Sequence, residues 1–256
     1  MKVERIDAIN KYVREKRSVS LQQLCKKFRV SLNTIRRDIA ILAEQGEIEK
    51  VYGGVISKAN SKSHSLSVQP FYERNIVNTD SKENIAKAAA NFVEDNDTIF
   101  LDSGTTTIQM VKHLEKHNNL TVVTYCIPII AELYNLPDIR VISLPGYLLR
   151  TTCSLVGEAA CDFLNGLNIN KAFMASTGVT SDFNVTNATF EECGIKKTAL
   201  KQSRKHYLLV DNSKFGQSGI MTYARLNQFD TVISNAGIPD TTLKYMNESS
   251  IQCCVM

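Results

Sequence analysis

Seven short apolar runs recur along the later part of the chain: TIFL (98–101), TVVT (121–124), RVISL (140–144), KAFMA (171–175), YLLV (207–210), TVIS (231–234) and IQCCV (251–255). Each has strand length and is apolar without alternation, the pattern of a strand buried on both faces. Helix-patterned stretches lie between most of them, including SKENIAKAAANFV, IPIIAELYN and FEECGIKKTALKQS. A helical segment between consecutive strands supplies the crossover that parallel pairing requires. The pattern predicts an α/β domain over residues 71–256 with a mainly parallel sheet covered on both sides. Cys253 and Cys254, neighbours on the last run, are expected on opposite faces of it.

The first part of the chain follows another plan. Ile6, Ile9 and Val13 mark the apolar face of a first helix. Ser20 is placed to cap a second, LQQLCKKF, with Leu21, Leu24 and Phe28 inward. After the short turn RVS, Ser31 is placed to cap a third helix from Leu32 to about Gln45, stopped by Gly46. Two helices across so short a turn predict a helix-turn-helix. Ile48, Val51 and Val55 then suggest strands around the Gly53–Gly54 pair, a wing. This gives a winged helix-turn-helix domain over 1–57. Residues 58–70, rich in Ser, Lys and Asn, read as a linker.

Charge divides along the same boundary. Residues 1–62 carry 14 Lys/Arg and 7 Asp/Glu, a formal +7, while the remainder is −3. A basic small unit on a mildly acidic large one points to an anionic polymer as one partner. With Ile35, Ile39 and Leu42 inward, the third helix presents Asn33, Thr34, Arg36 and Arg37 outward. These are the amide, hydroxyl and guanidinium donors that read base edges in the major groove. Lys26, Lys27 and Arg29 are candidate phosphate contacts, and Ser31, Tyr52 and Gly53 complete the expected DNA-binding set. Asp38 is expected to pair with an arginine or a lysine of the second helix. An isolated Arg-Arg pair would read as a solvated surface; caps, spacing, wing and charge together favour double-stranded DNA.

Other readings are exclusions. No apolar run is long enough to span a membrane, and MKVERIDAINKYVREKR lacks a signal peptide's apolar block, so a cytoplasmic protein is expected. The seven scattered cysteines fit a reducing compartment rather than a disulfide framework. No metal site or cofactor is expected; His113 and His117 are read as a solvated helix surface.

In IFLDSGTTTIQMVKHL a polar turn joins a strand to a helix. Its backbone amides and the hydroxyls of Ser103, Thr105, Thr106 and Thr107 suit a phosphate, with Asp102 orienting the turn or accepting a sugar hydroxyl. Gly104 is expected to allow close backbone approach and a positive φ. The same residues also serve as ordinary caps.

The segment RIDAIN…VSLQQLCKKFRVSLNTIRRDIAILAEQGEIEKVYGGV resembles the amino-terminal domain of DeoR/GlpR-type transcriptional regulators through VS-x-x-TIRRD followed by a Gly-Gly wing. The resemblance extends over essentially the whole chain through ERN, DSGTTT, VGEAACDFL, STGV, FEECGIKKTAL and VDNSKFG. It implies an effector domain similar to ribose-5-phosphate isomerase and CoA transferases, binding a phosphorylated sugar or sugar derivative. On that likeness Asp102, Ser103, Gly104, Thr105 and Thr106 form one side of the site. Glu191, Lys197, Asp211 and Lys214 form the other, with Lys196 or Lys197 neutralising the phosphate. Three stretches depart from the family pattern: TYC (124–126), LPGYL (144–148) and SDFNVTN (181–187). Tyr125 and Tyr147 are therefore expected at the pocket mouth.

The expected function is a ligand-responsive transcriptional regulator, a repressor of a carbohydrate-utilisation operon acting as a homo-oligomer (dimer or tetramer) on operator DNA, without catalytic residues. The alternative is a sugar-phosphate isomerase with a DNA-binding appendage, using Asp102, Glu191 and Lys197. A third possibility is a sequence-indifferent DNA-packaging protein.

Overall fold

The computed structural model describes residues 2–16, 18–51, 54–57 and 69–256. The chain forms two compact units, Met1–Ser65 and Leu66–Met256. Tyr52 and Gly53, and all of the expected linker except Gln69 and Pro70, lie outside the described residues.

The first unit contains α1 (Lys2–Lys16), β1 (Ser18–Ser20), α2 (Leu21–Phe28), α3 (Leu32–Glu44), β2 (Ile48–Val51) and β3 (Gly54–Ser57). Its core joins Ile6, Ile9 and Val13 of α1, Leu24 of α2, Ile35, Ile39 and Leu42 of α3, and Ile48 and Val55 of the wing. Leu21 and Phe28 pack against this core from partly buried positions. Gly46, at φ +75°, ends α3 in the left-handed conformation that glycine adopts without a Cβ penalty. The wing has an unexpected third strand: β1 pairs with β3, which pairs with β2, both antiparallel. The sequence hides it because SVS is too short to show a period.

The second unit contains α4 (Phe71–Asn75), α5 (Thr79–Ala90), β4 (Thr98–Leu101), β5 (Thr121–Thr124), α6 (Ile127–Leu133), β6 (Arg140–Ser143), β7 (Tyr147–Leu149), β8 (Ser154–Val156), α7 (Glu158–Asn165), β9 (Ile169–Ala175), β10 (Gly178–Val179), β11 (Asn184–Asn187), α8 (Phe190–Gln202), β12 (Ser203–Leu209), β13 (Met221–Arg225), β14 (Thr231–Ser234), α9 (Asp240–Glu248) and β15 (Gln252–Val255). Seven strands form one parallel sheet in the order β15-β14-β12-β9-β4-β5-β6. Successive residues feed opposite cores: Phe100, Val123, Met174, Leu208 and Val232 face one, and Ile99, Leu101, Val122, Phe173, Leu209 and Ile233 the other. The first is covered by α7, α8 and α9 through Ala160, Leu164, Ile195, Ala199 and Met246. The second is covered by α5, α6 and a 3-10 segment through Ile85, Ala89, Met110 and Ile129. Cys253 and Cys254 divide between the two cores.

Two features differ from expectation. The segment after the 102–106 turn, Thr107–His113, is a 3-10 helix. Buried Thr107 donates its hydroxyl to the carbonyls of Asp102 (2.6 Å) and Gly104 (3.0 Å), drawing the chain into a tighter turn than an α-helix allows. His113 is not simply solvated either, since its Nε2 lies 2.8 Å from Glu83. The second feature is a set of short antiparallel pairs, β7-β8 and β10-β11-β13, decorating the sheet. Their strands are two to five residues long and mix polar with apolar residues.

Candidate functional site

Two surfaces carry chemistry, one in each unit. On the first, Arg29 at φ +53° makes the sharp turn between α2 and α3. Ser31 caps α3: its Oγ accepts the Thr34 amide at 3.3 Å and lies 3.0 Å from Thr34 Oγ1. Ser31 and Thr34 thus begin the helix as well as lying at its exposed end. Ile35, Asp38, Ile39 and Leu42 are buried on one face, whereas Asn33, Arg36 and Arg37 are exposed on the other. Asp38 takes Arg5 of α1 as partner, accepting Nε at 2.7 Å and Nη2 at 3.3 Å. The arginine is thus from the first helix, where one turn of α3 faces α1. Among the described residues no carboxylate pairs with Arg36 or Arg37, so both guanidinium groups are available to an anion. Lys26 and Lys27 are exposed on α2, the latter with its ammonium 5.5 Å from the Tyr12 ring centre.

The second surface follows from strand order. From β4 the chain steps outward through β5 to β6; from β9 it steps the other way through β12, β14 and β15. The reversal falls between β4 and β9, and open parallel sheets bind ligands in the crevice beyond the carboxyl ends of the strands at such a point. Asp102 follows directly on β4 and Ala175 ends β9. Asp102 is wholly buried. Its Oδ1 accepts the Ser103 amide (2.9 Å) and the Tyr125 hydroxyl (2.6 Å), and its Oδ2 the Ala175 amide (2.8 Å) and the Lys196 ammonium. Lys196 also donates to the Ala175 carbonyl at 3.1 Å and lies 5.0 Å over the Tyr223 ring. Beside it, buried Glu192 accepts only neutral donors: Ser154 Oγ (3.1 Å), Asn187 Nδ2 (3.1 Å) and Thr189 Oγ1 (2.7 Å).

Next to these carboxylates stands a group of cations. Lys82, 4% exposed, donates its ammonium to the Arg74 carbonyl. Burial, reinforced by the charge of Lys214, pushes its pKa down to about 8. Burial likewise lowers the pKa of Lys214, with Asp211 opposing and Arg74 adding to the shift. Arg74 is lowered by burial and partly restored by the charge of Glu192 and Asp102. Asp211 is committed elsewhere, accepting Asn78 Nδ2 (3.2 Å), the Ser213 amide (3.1 Å) and the Ser213 hydroxyl. Among the described residues none of the three cations makes an ion pair. Three partly desolvated positive charges with no direct ion pair have the chemistry that suits an anion, although Asp211, Glu192 and Asp102 lie near enough for their charge to be felt. The 3-10 segment that follows the turn borders it: Gln109 Nε2 donates to Asn75, next to Arg74, at 3.4 Å. The hydroxyls of buried Thr105 and Thr106 make no hydrogen bond among the described residues.

The structure thus rearranges the expected set. Asp102, Ser103, Thr105, Thr106, Asp211 and Lys214 gather at this end of the sheet. Glu191 and Lys197 are exposed on α8, and Glu192 and Lys196, one position nearer each other, take the buried places. Helical rotation of about 100° per residue makes that a change of face. Gly104 has no positive φ; it is needed because a Cβ there would meet the Ala175 Cβ at 2.5 Å. Tyr125 is no mouth residue but fully buried, its hydroxyl pKa pushed well up by burial and then by Asp102. Tyr147 is 60% exposed on β7. Arg74 and Lys82 escaped sequence reasoning. Their only signal is position, a cation in ERN just after the linker and one in the first turns of an otherwise alanine-rich helix.

Comparison with known proteins places both units. Residues 5–61 match the DeoR-like helix-turn-helix domain and residues 77–236 the DeoR C-terminal sensor domain. The chain is 39% identical to the HTH-type transcriptional regulator IolR of Bacillus subtilis over 98% of either chain. It is 33% identical to the lactose phosphotransferase system repressor of Staphylococcus epidermidis over 91% of this chain and 92% of that one. Among solved structures, ribose 5-phosphate isomerase A of Methanocaldococcus jannaschii aligns over 54% of this chain and 55% of its own at 16% identity and a TM-score of 0.41. The relatives matched nearly end to end are regulators, which removes the isomerase alternative. No helix among the described residues is long and apolar enough to cross a membrane. The chain belongs to the DeoR family of transcriptional regulators, a helix-turn-helix DNA-binding unit joined to a sensor unit.

Proposed function

We propose that this regulator is a cytoplasmic repressor of a carbohydrate-utilisation operon, that it reads its operator as a homo-oligomer, and that a phosphorylated sugar releases it. The observation that carries the effector class is the pairing of two chemistries at one crevice. Arg74, Lys82 and Lys214 are unpaired cations suited to a phosphate dianion. The Thr105 and Thr106 hydroxyls, with the acceptor position left open on Glu192 Oε1, suit the hydroxyls of a polyol. The name of the lactose phosphotransferase system repressor supports a carbohydrate effector but does not choose one for this chain.

On the DNA side, Arg36, Arg37 and Asn33 enter the major groove, Lys26 and Lys27 hold phosphates, and Ser31 and Thr34 lie against the backbone at the helix start. Two copies on half-sites about 34–36 Å apart would account for symmetric operator binding. Ligand release requires the sugar phosphate to bind the DNA-free arrangement more tightly than the DNA-bound one. A thermal-shift screen of sugars, each with and without its phosphate, tests the effector class. A true effector at 100 times its dissociation constant adds about 2.7 kcal/mol of stability. Stabilisation by unphosphorylated sugars equal to that by their phosphates would refute the reading.

A further inference from the structure

The sensor unit's first described residues are tied down by the cations of its own anion site. Gln69 and Pro70 begin this unit's described chain, and residues 58–68 connect them covalently to the DNA-binding unit. Arg74 Nε donates to the Gln69 carbonyl at 3.1 Å. The Arg74 guanidinium lies 5.7 Å from the centre of the Phe71 ring, which is buried in the core. The Phe71 amide in turn donates to the Thr151 carbonyl at 2.8 Å. Phe71 is therefore a fixed point, and Gln69 is held beyond it by a side chain that also experiences the charges of Glu192 and Asp102.

We propose that Arg74 is a ligand-displaced clasp of the sensor unit: without effector its guanidinium holds the Gln69 carbonyl, and an effector phosphate draws it off, freeing the first described residues of that unit. The proposal rests on the phosphate site described above. The competition favours the ligand because a carboxylate or phosphate engages a guanidinium through two charge-assisted hydrogen bonds, while a backbone carbonyl offers one neutral acceptor. Nε belongs to the side-on edge that such a bidentate contact uses. Lys82 holds the Arg74 carbonyl, so the backbone stays in place and the guanidinium is the moving part.

The chain has no tryptophan, which permits a direct test. Gln69 is exposed and takes part through its backbone carbonyl, so Gln69→Trp places a single indole on the restrained segment. The full-length variant is titrated with inorganic phosphate against sodium chloride of equal ionic strength, following indole anisotropy and melting temperature together. The expected result is a saturable fall in anisotropy whose midpoint coincides with that of the melting-temperature rise. Adding Arg74→Lys keeps a cation but loses the fork: anisotropy then starts low and ignores phosphate, while the melting temperature still rises. Adding Lys214→Met moves both midpoints upward by roughly ten- to hundredfold, the loss of one charge-assisted hydrogen bond. A melting response without an anisotropy response in the Gln69→Trp protein would overturn the coupling and leave the phosphate site standing. So would an anisotropy response undiminished by Arg74→Lys. No response of either signal to phosphate, or midpoints indifferent to Lys214→Met, would remove the phosphate site itself.

Discussion

The recognition helix and the effector crevice are built in opposite ways. On α3 the groups proposed for DNA lie within five residues, are mostly exposed, and are carried by one element whose buried side is purely structural. At the crevice the groups come from α4, α5, the 102–106 turn, α8 and the turn after β12, and most are buried. A duplex is a large partner met at a surface, so a single helix presenting unpaired arginines suffices. A small polar ligand has to be surrounded, and its charges must be matched by groups that are already dehydrated. Substitutions on α3 should therefore change binding without touching stability, whereas substitutions in the crevice should entangle the two.

The sharpest test of that contrast is Lys196→Met. It leaves Asp102 buried with only neutral donors, and breaking a buried ion pair on one side costs about 3–5 kcal/mol. Chemical denaturation of this variant beside Arg37→Ala should show a large loss in the first and none in the second. Equal stability in both would erase the distinction. Gly104→Val comes next: a Cβ 2.5 Å from that of Ala175 forces β4 and β9 apart, an overpacking that costs about 1–3 kcal/mol. Calorimetric titration of whatever remains folded should show weakened sugar-phosphate binding. Wild-type affinity there would move the ligand away from the turn.

On the DNA side, Arg37→Ala should cost about 1–3 kcal/mol of discrimination if the guanidinium reads a base. Competition between operator and random duplex measures this; equal weakening of both would make Arg37 a phosphate contact, and no change would take it out of the interface.

The contrast also explains what could be read without a structure. Periodicity exposed the parallel sheet, because strands buried on both faces must be apolar throughout, and it exposed α3, because caps, apolar spacing and outward arginines share one segment. Glu191 was named where Glu192 is the buried residue, and Lys196 was left level with Lys197, since a helix whose polar residues line a crevice on one side and water on another shows little apolar periodicity. Arg74 and Lys82 were missed because their role depends on α4 and α5 meeting the turn that holds Asp211, a contact between segments over a hundred residues apart. Gly104 was expected to need a positive φ that it does not have, as packing against a strand distant in sequence leaves no local mark.

A smaller effect concerns pH. Lys82, with its pKa lowered to about 8, loses its charge as pH rises through that value, while a phosphomonoester becomes a dianion above about pH 6. Sugar-phosphate affinity should therefore peak between these limits and decline on the alkaline side as the Lys82 ammonium deprotonates. The linked stability has the opposite sign: the unfolded lysine keeps its proton up to about 10.4, so in the ligand-free protein this group's contribution becomes more favourable as pH rises from about 8 toward that value. Titrations from pH 6 to 10 should show Lys82→Met flattening the alkaline limb of binding. An unchanged limb would assign it to another group.

The central claim is that the unpaired cations at the crevice sense the effector that controls α3 on DNA. Its most direct test is an operator-binding titration of wild type and Lys214→Met with a sugar phosphate that dissociates the wild-type complex. The release midpoint of Lys214→Met should move to roughly ten- to hundredfold higher sugar phosphate. Release at the wild-type midpoint would contradict it.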